Sequence, residues 1–104
     1  MNATEDRLQP LIVFLRSTGD VHFSRFFSRV RSDLSTAGSN RERRAAAQRG
    51  LAAFAGMNSF NDLVIMEGNH AAPELNNQLD RLREDAYSFL NQIRLDTLLL
   101  KEQP

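Results

Sequence analysis

The sequence contains no cysteine and only two histidines, His22 and His70. Without thiols the chain can form no disulfide, hold no thiolate metal site and use no cysteine nucleophile. Two histidines are too few for a histidine-rich metal site. We therefore expect neither a bound metal nor a cofactor.

Long apolar runs are also missing. The longest are residues 11–15 and 63–66, whereas a helix needs about 20 apolar residues to cross a bilayer. Residues 1–7 are acidic and lead into no signal-type apolar segment. These features predict a cytoplasmic protein without a membrane partner.

Composition and charge indicate one ordinary globular domain. The 104 residues are 41% hydrophobic and 25% charged, which suits a single core, so we predict one domain over residues 1–104. Net charge is zero, yet residues 16–49 carry eight arginines against three acids, and residues 50–104 carry eight acids against four bases. The simplest interpretation of these two poles is that charges solvate the helix faces and pair across the bundle.

Helical periodicity predicts a first helix from Thr4 or Asp6 to Ser17. Pro10 favours a regular helix that begins only near Gln9, and Gly19 should end it. The inward positions are Leu8, Leu11, Ile12 and Leu15.

Asp20 is a suitable N-cap for a second helix. Its inward stripe is predicted to be Phe23, Phe26, Phe27, Val30 and Leu34. Its outward face is predicted to be Ser24, Arg25, Ser28, Arg29, Arg31 and Ser32. Residues 35–40 are predicted to form a loop.

A third helix is predicted over residues 41–55, capped by Ser39 or Asn40. Gly50 should weaken it slightly, and Gly56 should stop it in a left-handed conformation. Its inward positions are predicted to be Ala47, Leu51, Phe54 and Ala55.

The segment that follows is ambiguous. Ser59 and Asp62 have the spacing of a capping box, which predicts a short helix over residues 60–67, ended by Gly68. Leu63, Val64 and Met66 would then pack inward. A β-strand over residues 63–65 is the alternative, because so short an apolar run fits both.

The last helix opens at Pro73, with Glu74 in its first turn. A seam spaced 4, 3, 4, 3 and 4 residues predicts the bundle core: Leu75, Leu79, Leu82, Ala86, Phe89 and Ile93. Four leucines leave this register and would cover the bundle's end or form a partner surface: Leu95, Leu98, Leu99 and Leu100. The fold class predicted from these patterns is all-α, a compact bundle of four to five helices.

Residues 55–65, Ala-Gly-Met-Asn-Ser-Phe-Asn-Asp-Leu-Val-Ile, follow an alanine-rich helix that ends in Phe54. They resemble the signature of a small family of uncharacterised bacterial proteins, with a Gly-Met-x-Ser-x-Asn-Asp-Leu motif. Ala55 and Asn58 stand where that signature has glycine. The resemblance implies a small helical cytoplasmic protein like the immunity proteins that neutralise toxins exchanged between bacteria, and it implies no enzyme activity.

Catalytic and metal sites find little support. Glu67 and His70 have the spacing of one half of a di-iron site, but such a site needs a second pair, and Gly68 interrupts this one. One polar cluster offers an acid, a base and a hydroxyl without a recognisable triad: Asn58, Ser59, Asn61, Asp62, Glu67, Asn69 and His70. We therefore predict that the protein is not an enzyme.

Two surfaces remain as binding candidates. An arginine-rich face could bind phosphates, namely Arg25, Arg29, Arg41, Arg43, Arg44 and Arg49. The sequence pI of about 6.7 and the single lysine argue against nucleic acid as the main partner. The last helix should present an exposed Tyr87 among carboxylates, which suits a basic protein partner. The predicted partner-binding residues are Asp62, Glu67, Asp80, Glu84, Tyr87, Asn91 and Arg94.

The leading functional hypothesis is an immunity-type protein that occludes the active site of a cognate toxin with a basic surface. The alternatives are a small regulatory module that binds nucleic acid through its arginines, and a homo-oligomeric structural protein such as a homodimer. These predictions rest on surface chemistry and on the resemblance.

Overall fold

Four α-helices and one short hairpin make up most of the structure, a computed structural model that describes residues 5–56 and 59–101, with side chains for residues 7–56 and 59–98. A 3-10 helix (Glu5–Leu8) leads into α1 (Gln9–Ser17). Next come α2 (Val21–Thr36), α3 (Asn40–Ala52) and a second 3-10 helix (Phe60–Asp62). A hairpin of β1 (Met66–Glu67) and β2 (His70–Ala71) precedes α4 (Pro73–Lys101). The predicted all-α bundle is confirmed.

The helix starts and stops follow local chemistry. Pro10 falls in the first turn of α1, so the regular helix begins at Gln9, as predicted. The Phe23 backbone N–H donates to the Asp20 carboxylate at 2.8 Å and caps α2. Gly19 takes a φ of +85° between the two helices. Of the proposed start positions of the first helix, Thr4 lies outside the described residues.

The cap of α3 is Ser39, one of the two predicted candidates. The Glu42 backbone N–H donates to the Ser39 hydroxyl at 3.1 Å, and the Gly38 N–H donates to the Glu42 carboxylate at 3.0 Å. The helix itself ends at Ala52 rather than at residue 55. Gly56 does adopt the predicted left-handed conformation, with a φ of +87°.

One hydrophobic core joins all four helices. Its largest fully buried side chains are Leu8, Leu11, Ile12, Leu15, Phe27, Leu34, Phe60, Leu79 and Leu90. Three phenylalanine rings form its aromatic centre, since Phe60 lies 4.9 Å from Phe27 and 5.4 Å from Phe54, centre to centre. Phe60 therefore joins the second 3-10 helix, called the 3-10 turn below, to α2 and to the end of α3.

Several positions depart from the predicted faces. Ser24 is buried rather than outward, and its hydroxyl donates to the Val21 carbonyl at 3.1 Å. Ala55 is exposed rather than inward, because α3 has already ended. Ala46 and Leu90 belong to the core although the predicted stripes omit them. In α4, Leu79, Ala86, Phe89 and Ile93 are buried as predicted, and Leu75 and Leu82 are half-buried.

Gly50 sits where α3 packs closely against α4 and α2. A Cβ atom on Gly50 would lie 2.8 Å from Cδ1 of Leu90 and 3.2 Å from Cγ1 of Val30. The glycine is buried, so its role is to allow close helix approach, at the expense of helix propensity.

Gly50→Ala should therefore destabilise the protein, by about 0.5 to 2 kcal/mol, because overpacking outweighs the helix propensity gained. Urea denaturation followed by far-UV circular dichroism would measure it. In a Val30→Ala background, which opens space beside the new methyl group, the same change should be milder. An increase in stability on Gly50→Ala would contradict this packing.

The short helix predicted over residues 60–67 is wrong. Only Phe60–Asp62 is helical, as one 3-10 turn, and the backbone is extended at Leu63. The predicted capping box is absent as well, since the Ser59 side chain makes no capping hydrogen bond. Backbone groups hold the turn instead: the Phe60 N–H donates to the Ala53 carbonyl at 2.7 Å, and the Asp62 N–H donates to the Ser59 carbonyl at 2.9 Å.

A hairpin replaces the rest of that helix. Met66 pairs with Ala71 and Glu67 with His70, around a turn in which Gly68 has a φ of +64°. Strand pairing thus begins at Met66 rather than over residues 63–65. Val64 and Met66 are 52% and 54% exposed, which corrects their predicted inward placement, whereas Leu63 is half-buried against the core.

Ser59→Ala should consequently change the free energy of unfolding by less than about 0.5 kcal/mol, as for most substitutions away from buried or capping groups. Ser39→Ala is the matched comparison, because it removes a cap that the structure contains, and it should cost about 1 kcal/mol. Denaturant midpoints of both variants would measure the difference. A loss at Ser59 equal to the loss at Ser39 would show that Ser59 does cap a helix.

Candidate functional site

A cleft of about 450 Å³ lies where α4 passes the end of α3 and the 3-10 turn. Three of the predicted partner-binding residues line it: Asp80, Glu84 and Tyr87. They lie on one side of α4 because their spacings of four and three residues match the helical repeat. Phe54, Asn61 and Arg83 complete the lining. The sequence patterns did not assign these three to the site.

Two aromatic rings form the apolar wall of the cleft. Tyr87 is 46% exposed, and its ring meets Phe54 edge to face, with 5.4 Å between the ring centres. The Asn61 side-chain amide donates to the Phe54 carbonyl at 2.8 Å and fastens the turn to this wall. The exposed Tyr87 predicted from the sequence is therefore found, with one edge supported by the core.

Arg83 anchors the turn to α4. Its Nη1 donates to three backbone carbonyls of the turn, those of Phe60 at 2.9 Å, Leu63 at 3.1 Å and Asn61 at 3.2 Å. Its Nη2 pairs with the Asp80 carboxylate, and its guanidinium carbon lies 5.8 Å from the centre of the Phe60 ring. The Arg83 side chain is only 14% exposed, so its contacts serve to hold the turn against α4.

The two cleft carboxylates therefore differ. Asp80 is engaged by Arg83, whereas Glu84 is exposed and has no hydrogen bond or ion pair within residues 5–56 and 59–101. The charge of Glu84 is thus available to a partner.

The same side of α4 continues past the cleft. Asn91 and Arg94 are half-buried and bond to each other, since Arg94 Nε and Nη2 donate to the Asn91 side-chain oxygen at 3.1 and 2.9 Å. Leu95 and Leu98 follow at 40% and 37% exposure, whereas the side chains of Leu99 and Leu100 lie outside the described set. We call this surface the α4 outer face; its residues are Asp80, Glu84, Tyr87, Asn91, Arg94, Leu95 and Leu98.

Asp62 and Glu67 do not join the α4 outer face. Both are exposed, but Asp62 lies on the 3-10 turn outside the cleft lining, and Glu67 pairs with His70 across the hairpin. Among the side chains that the structure describes, no three histidine, aspartate or glutamate residues are grouped so that they could hold a metal ion. Asn58, a member of the polar cluster considered for catalysis, lies outside the described residues.

The arginines of residues 16–49 make different contacts. Arg25 and Arg29 line a second cleft, of about 500 Å³, on α2 together with Val21, His22 and Phe26. Arg49 pairs with Asp33 at 2.8 Å, which links α3 to α2 within the basic half, and Arg44 donates to the Thr97 carbonyl of α4 at 3.3 Å. Arg44 and Arg49 are thus engaged within the protein, whereas Arg25 and Arg29 line the cleft on α2.

The fold and the cleft define a small helical protein with an open cleft lined by aromatic and acidic side chains. Within the described residues, no helix combines the length and apolarity that a bilayer span requires. The chain belongs to the family described as Domain of unknown function (DUF6966), which matches residues 16–74. Searches of curated proteins and of solved structures gave no match. Phe54 and Asn61 fall inside the matched region, and the cleft residues of α4 fall beyond it.

Proposed function

We propose that this protein is an immunity-type binding protein, which neutralises a cognate bacterial toxin by occluding the toxin's active site with the α4 outer face. The observation that carries the proposal is a half-exposed tyrosine beside a carboxylate that has no partner within the described residues, on a helix supported by the core. The resemblance of residues 55–65 to an immunity-like bacterial signature supports the same class.

The composition of this face suits a protein partner. Tyrosine and arginine are enriched among residues that dominate binding energy, and large apolar side chains around them exclude water. Here Tyr87 lies between acidic residues on one side and Leu95 and Leu98 on the other. Leu98 is eleven residues from Tyr87, about 16 Å along the helix. Such a face can cover the mouth of an active site.

The charge of the face indicates the sign of the partner. Because Arg83 offsets Asp80, Glu84 leaves the cleft with one uncompensated negative charge among the described residues, which attracts a basic surface and raises the rate of encounter with it. Enzymes that act on anionic substrates, such as nucleases, carry basic active-site surfaces, so a toxin of that kind is the partner proposed.

The helix that carries the face is preorganised. α4 has 29 residues, about 43 Å of helix, and it packs through Leu79, Ala86, Phe89 and Ile93 on its opposite side. A surface that is already ordered loses little conformational entropy on binding. Rigid occlusion of a toxin therefore needs no rearrangement of this chain.

The test is protection of bacterial cells from the toxin encoded beside this protein's gene. Co-expression of the wild-type protein should restore growth, and Glu84→Arg should abolish protection because it places like charge against a basic partner. Asp85→Arg is the matched control, since Asp85 is the exposed neighbour on a different side of α4. Equal protection by both variants, or the absence of a toxin gene in several genomes, would count against the proposal.

Nucleic-acid binding is the second candidate, favoured by the α2 cleft in which Arg25 and Arg29 lie beside His22 and Phe26. Two phosphate contacts give weak affinity that falls steeply with salt. A tight, sequence-selective complex at about 0.15 M salt, where exposed charges are substantially screened, would reverse the order of the two candidates. Concentration-dependent mass in light scattering would instead favour a homo-oligomer.

A further inference from the structure

We propose that the cleft formed by Phe54, Glu84 and Tyr87 recognises an arginine side chain of the protein partner. This inference rests on the proposed function, because it names the chemical group that the α4 outer face binds. It concerns the cleft alone, so it can fail while the proposed function stands.

The walls of the cleft supply the two contacts that a guanidinium makes. Tyr87 presents a half-exposed ring that the largely buried Phe54 supports edge to face, and a cation over such a ring is attracted by its negative face. Glu84 offers a carboxylate at the same cleft, and a carboxylate can accept two parallel hydrogen bonds from one guanidinium. Stacking and pairing can thus be satisfied by one planar group.

The charge around the cleft leaves a place for one cation. Arg83 also lines the cleft, and its positive charge is offset by the Asp80 carboxylate that it contacts. Glu84 is then the one carboxylate of the cleft lining without a partner within the described residues. A single arginine from the partner would complete the charge balance.

The protein already holds one guanidinium in this manner. Arg83 lies over the Phe60 ring of the 3-10 turn and pairs with Asp80 of α4, so the turn supplies the aromatic surface and α4 supplies the carboxylate. About one turn further along the helix, Glu84 and Tyr87 supply the same two kinds of group, here both from α4. Lysine would fit less well, because its ammonium neither stacks on a ring nor forms the bidentate pair.

The experiment is an NMR titration of the full chain with three small probes: N-acetylarginine methylamide, its neutral citrulline counterpart and its lysine counterpart. The arginine probe should give saturable shifts at the Glu84 and Tyr87 backbone amides and at the Asn61 side-chain amide. The dissociation constant should be about 10 to 100 mM, as expected for one cation–π contact and one exposed ion pair. The lysine and citrulline probes should bind several-fold more weakly.

Two variants separate recognition from general attraction. Glu84→Gln should weaken the arginine probe at least about threefold, since it removes the charge-assisted pair, and Asp85→Asn should leave it unchanged. Equal shifts from citrulline, equal binding by Glu84→Gln, or no saturable shift would overturn the inference. If the probe fails while toxin protection still depends on Glu84, the proposed function survives and the arginine assignment falls. If the probe binds and no toxin is neutralised, the cleft recognises arginine on a different kind of partner.

Discussion

Phe60→Ala should remove about 3 to 5 kcal/mol from the free energy of unfolding, the range measured for large-to-small changes at buried aromatic positions. The Phe60 ring is fully buried and contacts the rings of Phe23, Phe27 and Phe54. It also belongs to the turn that Arg83 holds from α4 and that the Asn61 side chain ties to the Phe54 carbonyl. The free energy of unfolding of a domain of this size is about 5 to 15 kcal/mol in total. The Phe60→Ala variant should therefore be close to unfolding.

Urea denaturation followed by far-UV circular dichroism is the suitable measurement, since the chain contains no tryptophan. Phe60→Leu is the control that keeps most of the volume, and it should cost clearly less than the alanine change. A loss below about 1 kcal/mol for Phe60→Ala would mean that the ring does not fill the core as described.

Arg83→Met should lower the free energy of unfolding by about 2 to 3 kcal/mol, although methionine replaces the apolar stem of the arginine side chain. It leaves the carbonyls of Phe60, Asn61 and Leu63 without the charged donor that they share. Hydrogen bonds to charged groups contribute about 1.5 to 3 kcal/mol, and partly buried acceptors left unpaired add to the loss. Asp80 would lose its ion-pair partner in the same step.

Arg81→Met is the matched control, because Arg81 is exposed on the same helix two residues away. It should change stability by less than about 0.5 kcal/mol. Hydrogen exchange adds a local readout, since amides of residues 60–65 should lose protection in Arg83→Met before those of α2 do. Equal denaturant midpoints for the two variants would contradict the anchoring role of Arg83.

The helices were predictable because their signals are local. Asp20 and Ser39 cap the helices that follow them, and Pro10 sets the start of α1, through contacts within one turn of chain. The heptad spacing of α4 likewise identified four buried seam positions. Leu90 was missed because it packs on α3 at Gly50, and that approach depends on which helices meet.

Residues 59–71 were not predictable, since distant residues hold their backbone. The Asn76 side chain of α4 accepts from the Ile65 N–H at 2.8 Å and donates to the Ile65 carbonyl at 2.9 Å. Arg83 holds the turn before it. These contacts span 11 and 23 residues, and they replace the local hydrogen bonds that a helix over residues 60–67 would have used.

The candidate site also contains some residues that the sequence predicts and others that it does not. Asp80, Glu84 and Tyr87 share one side of α4, which helical periodicity alone predicts. Phe54 and Asn61 reach the cleft from outside α4, so no spacing within that helix indicates them. The one available signal was the spacing of Asp80 and Arg83, three residues apart, which marks an ion pair on a helix surface. It did not reveal that Arg83 faces the turn.

Binding of a protein partner by the proposed α4 outer face can be measured through the affinity of Tyr87→Ala for the neutralised toxin. Truncating a tyrosine at the centre of an interface costs about 2 kcal/mol or more, which is roughly a thirtyfold weaker Kd. Its half-exposed ring should contribute no more than about 1.5 kcal/mol to monomer stability through the Phe54 contact. Glu84→Arg, by contrast, should mainly slow association, whereas the tyrosine change should speed dissociation. Calorimetric titration of wild type and Tyr87→Ala with the toxin should therefore show the large loss of affinity with a folded monomer. An unchanged Kd, with a monomer destabilised by several kcal/mol, would instead place Tyr87 in the core and rule out the α4 outer face as the interface.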